Sequence, residues 1–269
     1  MSLSIQGKTA VVTGAANGIG LAIARHFVER GANVMFADMD EERLESELGD
    51  NRDGDGNARW FAGDFREKLA VANLLSATID AYDRVDILVN ASRQMLTTDP
   101  LDLDDDSVST LLQQNLMTSL RLSQLFARRM IKQSEESEDD TRMAGSIVNL
   151  SSIAARRTHA NLLGYSVSSA ALDQATRSLA VALAPNRIRV NAVAFGSVMS
   201  ASLKGAIKGN SDMRADIIEN TPLSRIASPT EVAETVQFLA SDGAAFMTGQ
   251  ILTIDGGRTL IDGCDSAMH

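Results

Sequence analysis

From Thr9 to Asp255 the chain alternates short apolar runs with longer stretches of helical periodicity, which fixes the fold class before any motif is considered. The strand candidates are Thr9–Thr13, Asn33–Asp38, Arg59–Ala62, Ile87–Asn90, Ser146–Ser151, Arg189–Val193 and Gln250–Asp255. Most are continuously apolar, as strands covered on both faces must be. Between them lie helical patterns, among them Ile19–Arg30, Lys68–Tyr82, Ser107–Lys132, Tyr165–Ala184 and Thr230–Ala240. Ile19, Ile23 and Phe27 recur at i, i+4 and i+8 and form one buried stripe, while His26 reads as a surface residue of that helix. Ser228-Pro229-Thr230-Glu231 supplies a cap, a proline at the first helical position and an acid at the third. Strands alternating with helices predict an α/β fold: an open, doubly wound, seven-stranded parallel sheet with right-handed crossovers and helices on both faces.

No linker or internal repeat divides the 269 residues, and 44% hydrophobic residues suffice for one large core. A single domain over 1–269 is expected. The net charge of −10 argues against nucleic acid and anionic membranes as partners. The lone Cys264 excludes an internal disulfide and offers no zinc spacing, so no metal site is expected and a reducing compartment is implied. No apolar run approaches the ~18–20 residues of a membrane span. Met1-Ser2-Leu3-Ser4 lacks the basic and apolar regions of a signal peptide, so a cytoplasmic location is expected. The acidic run Gln133–Asp140 reads as a solvated loop and Asp102–Asp106 as a charged helix entry. Apolar positions at helical spacing within 197–224 (Met199, Leu203, Ile207, Met213, Ile217) read as a lid over a pocket.

Thr13-Gly14-Ala15-Ala16-Asn17-Gly18-Ile19-Gly20 joins the first strand to the first helix. Glycines there let the backbone turn tightly and approach a pyrophosphate seated on free N–H groups at a helix start. Asp38 ends the second strand, 24 residues after Gly14. Its carboxylate can accept both hydroxyls of an adenosine ribose and repels a 2′-phosphate, and no Lys or Arg lies within Ala15–Gly20 to rescue one. NAD is therefore expected rather than NADP.

The spacing T-G-x-x-x-G-x-G resembles the short-chain dehydrogenase/reductase form of the nucleotide turn, and further residues match that family in order. They are Asp64 after the third strand, Asp86-Ile87-Leu88-Val89-Asn90, Asn115, Ser151-Ser152, Tyr165 thirteen residues beyond Ser152, and Arg189-Val190-Asn191-Ala192-Val193. Pro222-Leu223-Ser224-Arg225, Glu231-Val232-Ala233, Thr248-Gly249-Gln250 and Asp255-Gly256-Gly257 complete the match. The resemblance implies a Rossmann-type oxidoreductase moving hydride between nicotinamide and a small-molecule alcohol or ketone. It further implies that Tyr165 exchanges the hydroxyl proton, Ser152 holds the substrate oxygen, and Asn115 kinks its helix and orders a relay water. Hydride transfer to a carbonyl develops an alkoxide, which needs such donors within reach. Cofactor contacts implied are Gly14, Asn17, Gly18, Ile19, Gly20, Asp38, Asp64, Phe65, Asn90, Tyr165, Gly196 and Val198. A homotetramer is implied as well, with Ser107–Lys132 and Tyr165–Ala184 pairing across two-folds, where small residues such as Ala170, Ala171 and Ala175 permit close approach.

The family motif Y-x-x-x-K reads here Tyr165-Ser166-Val167-Ser168-Ser169, so serine stands where the lysine should. That lysine lies one turn from the tyrosine, on the same helix face. A free phenol has a pKa near 10, leaving ~0.1% phenolate at neutral pH. Losing the ammonium weakens the base and removes a ribose anchor. N-N-A-G becomes Asn90-Ala91-Ser92-Arg93, putting a cation where glycine usually stands, and P-G becomes Phe195-Gly196. Ser200 stands near the usual carboxamide-facing threonine. Arg93 reads as solvent-facing, the alternative being that its guanidinium fills space the lysine left. Arg156-Arg157-Thr158-His159 reads as a solvated loop near the substrate entrance, the alternative being a contact with an anionic substrate. Three functions compete: an NAD(H)-dependent oxidoreductase, then a catalytically degenerate nucleotide-binding relative with a structural or sensory role, and last a different reaction, such as dehydration or epimerisation, on the same scaffold.

Overall fold

The computed structural model describes residues 3–49, 56–137 and 143–262; Met1, Ser2, Cys264 and residues 138–140 of the acidic run lie outside them. Seven strands form one sheet: β1 (Thr9–Thr13), β2 (Asn33–Asp38), β3 (Ala58–Ala62), β4 (Ile87–Asn90), β5 (Gly145–Ser152), β6 (Ile188–Phe195) and β7 (Ile251–Ile254). Their order is β3-β2-β1-β4-β5-β6-β7, with every neighbouring pair parallel. The chain starts at the centre, builds outward to β3, then returns to the other side of β1. This doubly wound order makes a crevice where the two directions diverge, above the carboxyl ends of β1 and β4.

Adjacent valines show why the sheet is apolar on both faces. Val12 packs with Ile23 and Phe27 of α1 (Gly18–Glu29) and with Val232, Val236 and Leu239 of α9 (Pro229–Ala240). Val11 faces the opposite layer, with Leu74 of α3 (Lys68–Tyr82) and with Leu122, Phe126 and Met130 of α5 (Thr118–Glu135). Side chains of this size contribute roughly 1.5–3 kcal/mol each when fully buried. The remaining helices are α2 (Glu41–Leu48), α4 (Ser107–Leu111), α6 (Leu163–Leu183), α7 (Ala201–Ile207) and α8 (Ser211–Glu219).

Three readings of the sequence need correction. The pattern over Ser107–Lys132 is not one α-helix, because a π-helical segment, Leu112–Met117, separates α4 from α5. The acidic run does not begin as a loop, since α5 continues to Glu135. Gln133 is held there because its amide accepts from the Val85 N–H and donates to the Val85 carbonyl, both at 2.9 Å. His26 is buried rather than exposed, since α9 covers that face of α1 and Nε2 lies 2.7 Å from Gln237 Oε1.

The start of α9 follows its sequence signature. The Ser228 N–H donates to Glu231 Oε2 at 2.8 Å, and Arg225 forks onto both carboxylate oxygens at 2.8 and 2.6 Å. The guanidinium, helped by the Ser228 N–H, pulls the Glu231 carboxyl down to about 2. The ion pair thus contributes stability above the unfolded carboxylate range and loses it as pH falls through that range towards about 2. Glu231→Gln keeps the side chain's reach without its charge. Its melting temperature should lie about 1–3 °C below wild type at neutral pH, and the gap should close on acidification from about 4.5 to 2. Calorimetry across that range checks it.

Candidate active site

At the end of β1 the chain turns through Gly14 and Gly18, both in the left-handed region (φ 67° and 58°). A Cβ at Gly14 would lie 2.8 Å from the Ala91 carbonyl oxygen, and one at Gly20 would run into the Gly14 carbonyl. α1 opens without a side-chain cap, because Asn17 is exposed and bonds no helix amide. The first-turn N–H groups, led by those of Gly18, Ile19 and Gly20, therefore present positive dipole ends to the crevice. Asp38 closes one side of this turn. Its Oδ2 accepts from Ala16 N–H and its Oδ1 from Asp40 N–H, both at 3.1 Å.

Other residues read as cofactor contacts are placed differently from one another. Asp64 is held by Arg66 through bonds of 2.6–3.0 Å, and that guanidinium keeps its carboxyl below the usual range. Phe65 is buried in the core layer with Val11 and Met35. Asn90 is also buried, its amide donating to Ser123 Oγ (3.0 Å) and Asn149 Oδ1 (2.8 Å), which ties β4 to α5 and β5. Gly196 receives the β7 edge, its N–H donating to the Ile254 carbonyl at 2.9 Å. Val198 is buried in a bridge to Ala227, and Ser200 caps α7.

Thr13 fixes the loop after β4, because its Oγ1 accepts from the N–H groups of Ala91 (3.1 Å) and Ser92 (3.2 Å). Asn115 fixes the loop's far side. Its Oδ1 accepts from Gln94 N–H (2.8 Å), and its Nδ2 donates to the Gln94 carbonyl (2.9 Å) and to Ser168 Oγ (3.2 Å). Arg93, held between these anchors, does not face solvent as first read. Its guanidinium turns inward, donates from Nη1 to the Ser151 carbonyl at 2.8 Å, and lies over two rings. Its central carbon is 4.4 Å from the Phe195 centroid and 5.2 Å from that of Tyr165. Burial pulls the Arg93 pKa down to about 10, so it remains a cation at neutral pH.

The residues expected to be catalytic lie where β5 meets α6. Ser152 ends β5, and its Oγ accepts from Ala154 N–H at 3.1 Å. Ala154 also packs with Tyr165, Leu111, Leu96 and Leu162. Tyr165 is buried, and its hydroxyl has no hydrogen-bond partner among the described residues. A buried phenol without a partner costs stability and marks a place where a ligand atom belongs. Ser169, one turn further along α6, is buried too. Two neighbours of these residues escaped the sequence reading. Phe195 pairs in register with Ser152 and presents its ring to Arg93. Asp173 is buried with its carboxyl pushed up by desolvation, near Ser151. Its position two turns after Tyr165 on one helix face was the available signal. Arg156, Arg157 and His159 are exposed, and α7 and α8 occupy the 197–224 segment.

This arrangement is similar to that of many known proteins. Residues 14–259 match the family model described as Enoyl-(Acyl carrier protein) reductase. The chain is 36% identical to cis-4-hydroxycyclohexanecarboxylate dehydrogenase of Sinomonas cyclohexanicum, over 94% of this chain and 97% of that one. It is 31% identical to a 3-oxoacyl-(acyl-carrier-protein) reductase of Thermotoga maritima, over 96% of this chain and 100% of that one. A solved 7α-hydroxysteroid dehydrogenase complexed with NADH and 7-oxo glycochenodeoxycholic acid superposes with a TM-score of 0.85 at 30% identity, covering 95% of each chain.

The glycine turn is tested by contrast. In an unencumbered helix Gly→Ala stabilises by up to about 1 kcal/mol, as expected for Gly205→Ala in α7, where an added Cβ meets nothing within 4 Å. Gly20→Ala should instead destabilise by about 1–3 kcal/mol, because the new methyl collides with fixed backbone. Urea unfolding of the two variants reads the difference.

Proposed function

Because the chain belongs to the short-chain dehydrogenase/reductase family, we propose that this oxidoreductase uses NAD(H) and interconverts a small-molecule alcohol with its ketone. The buried, unpartnered hydroxyl of Tyr165 is the observation that carries the reading. The cofactor's fit rests on the glycine turn a Cβ would fill, the uncapped start of α1 and Asp38 at the tip of β2. Gly14, Gly18, Ile19 and Gly20 would cradle the pyrophosphate, Asp38 the adenosine ribose, and Asp64 and Phe65 the adenine. Asn17, Asn90, Tyr165, Gly196 and Val198 would line the remainder. The bound nicotinamide would supply the position that accepts or donates hydride.

The protein's own groups then manage the proton. Tyr165 Oη removes the hydroxyl proton during oxidation and returns it during reduction. Ser152 Oγ already accepts from Ala154, so what it offers the substrate oxygen is its proton. Asn115 has committed its amide to Gln94 and Ser168, and thereby holds the π-helical segment, the Arg93 loop and α6 in one arrangement. α7 and α8 form a lid that keeps water from the reacting atoms. Ser169 favours a second reading, in which nucleotide binds without turnover.

A panel of secondary alcohols and ketones, weighted towards ring alcohols because two relatives are named for them, tests this with each nicotinamide cofactor. NAD(H)-linked turnover is expected, with at least about tenfold preference over NADP(H) that Asp38→Ala erases. Tyr165→Phe should lower the rate at least ~100-fold while NADH still raises the melting temperature. NADH stabilisation without turnover on any substrate would favour the second reading. Exposed Val167 and Val181 on α6 support a self-associating helix face. Light scattering is accordingly expected to give four times the 28.7 kDa chain mass, and a monomer would refute the tetramer.

A further inference from the structure

Arg93 is half-buried as a residue, but its guanidinium is shielded from water, and the partners of that group, among the described residues, are one carbonyl and two ring faces. It forms no ion pair with a carboxylate there, and desolvation lowers its pKa. Buried charges without counterions are costly and usually mark a place that an anion completes. One of the two rings belongs to Tyr165, whose hydroxyl is itself buried and unpartnered. Deprotonated, that phenol becomes the missing anion.

We propose that the Arg93 guanidinium replaces the absent lysine: a fixed positive charge over the face of Tyr165 that favours its phenolate. The inference rests on the reading of Tyr165 as the site's acid and base. Ser151 connects the two cation positions. Its carbonyl anchors Arg93 at 2.8 Å, and its hydroxyl reaches the Ser169 carbonyl at 3.5 Å. Ser151 thus touches both the guanidinium and the backbone of residue 169. The guanidinium arrives from the loop after β4 instead of from α6. Phe195 backs the planar group with its ring, an arrangement that suits arginine better than the compact ammonium of lysine. Arg93 acts through Tyr165 and is a positioning residue in this scheme.

Other charges on the elements packed around Tyr165 are less well placed. Asp106 precedes α4. Arg156, Arg157 and His159 on the turn after β5 are exposed, with Arg156 bonded to Thr253 and Arg157 to the Thr259 carbonyl. Asp173 lies two turns further along α6, and desolvation favours its neutral form. Among the described residues, Arg93 is the cation that lies over the Tyr165 ring.

The composition makes a direct test possible, because the chain has two tyrosines. The other, Tyr82, is pushed up to about 12 by burial and is removed by Tyr82→Phe. In that background, the ultraviolet absorbance of phenolate against pH reports Tyr165 alone. Its midpoint should lie below the ordinary value of about 10. Arg93→Met, which keeps an apolar stem between the rings, should raise the midpoint by about one pH unit or more. Adding Ser169→Lys to Arg93→Met should bring it down again. Circular dichroism at each pH confirms that folded protein is being titrated. A midpoint unmoved by Arg93→Met in folded protein, or one at or above 10 in its Arg93-containing parent, overturns the proposal. The titration needs neither substrate nor cofactor. A shifted midpoint in a protein without turnover would therefore sink the oxidoreductase reading alone, and turnover with an unshifted midpoint would sink this one alone.

Discussion

Backbone pairing between β5 and β6 runs unbroken from Gly145–Ile188 to Ser152–Phe195, and the site depends on where that ladder stops. Both strands are buried along their whole length, so a slip of one residue would press every side chain into a packed layer shaped for its neighbour. The register is therefore fixed by the core. It delivers Ser152, Phe195 and the Ser151 carbonyl to one level at the carboxyl edge. Polar side chains within the sheet reinforce the level: Asn90 donates to Asn149, and Asn149 donates to Thr176 of α6 at 2.9 Å. That chain links β4, β5 and α6 in a layer where unsatisfied groups would be costly. Asn90 thus spends its amide nitrogen on alignment.

The strands were legible because each is an apolar run closed by polar or glycine residues. β1, β2 and β4 fall where the sequence places them, while β6 runs two residues further because Ala194 and Phe195 still have partners on β5. Such partners are set by the fold and leave no local trace. The π-helical segment leaves no local trace either, since Leu112–Met117 is ordinary helix-forming sequence, and only the resemblance placed a kink at Asn115 within it. His26 and Arg93 share one cause of misreading. Exposure of a polar side chain depends on what covers it, and neither α9 nor the pair of aromatic rings is near them in sequence. The motif residues Gly14, Asp38, Ser152 and Tyr165 were identifiable through fixed spacing, but their partners were not.

Arg189 is a useful comparison for Arg93. It is buried more completely, and it donates to the Leu239 carbonyl at 2.7 Å and the Ser241 carbonyl at 3.1 Å, closing the carboxyl end of α9. There the guanidinium meets the negative end of a helix dipole, a favourable setting for a cation. Arg93 has one carbonyl and two ring faces instead. Ring faces attract a cation weakly compared with a full negative charge. The same side chain thus closes a helix in one place and, in the other, waits for a counterion.

The π-helical segment also bears on which insertions and deletions this scaffold can tolerate. Each residue of an α-helix advances about 100° around its axis, and a π turn holds one residue more than an α turn. With that extra residue present, Leu111 of α4 faces Tyr165 while Leu122, Phe126 and Met130 of α5 face the sheet. Removing one residue from Leu112–Met117 would yield a smoother helix whose two halves are out of phase. Either α5 would swing its core side chains off the sheet, or α4 would withdraw from α6 and Asn115 would lose its grip on the Arg93 loop. Chain length in this stretch is therefore a constraint of the architecture in its own right, set by phase rather than by the identity of any side chain.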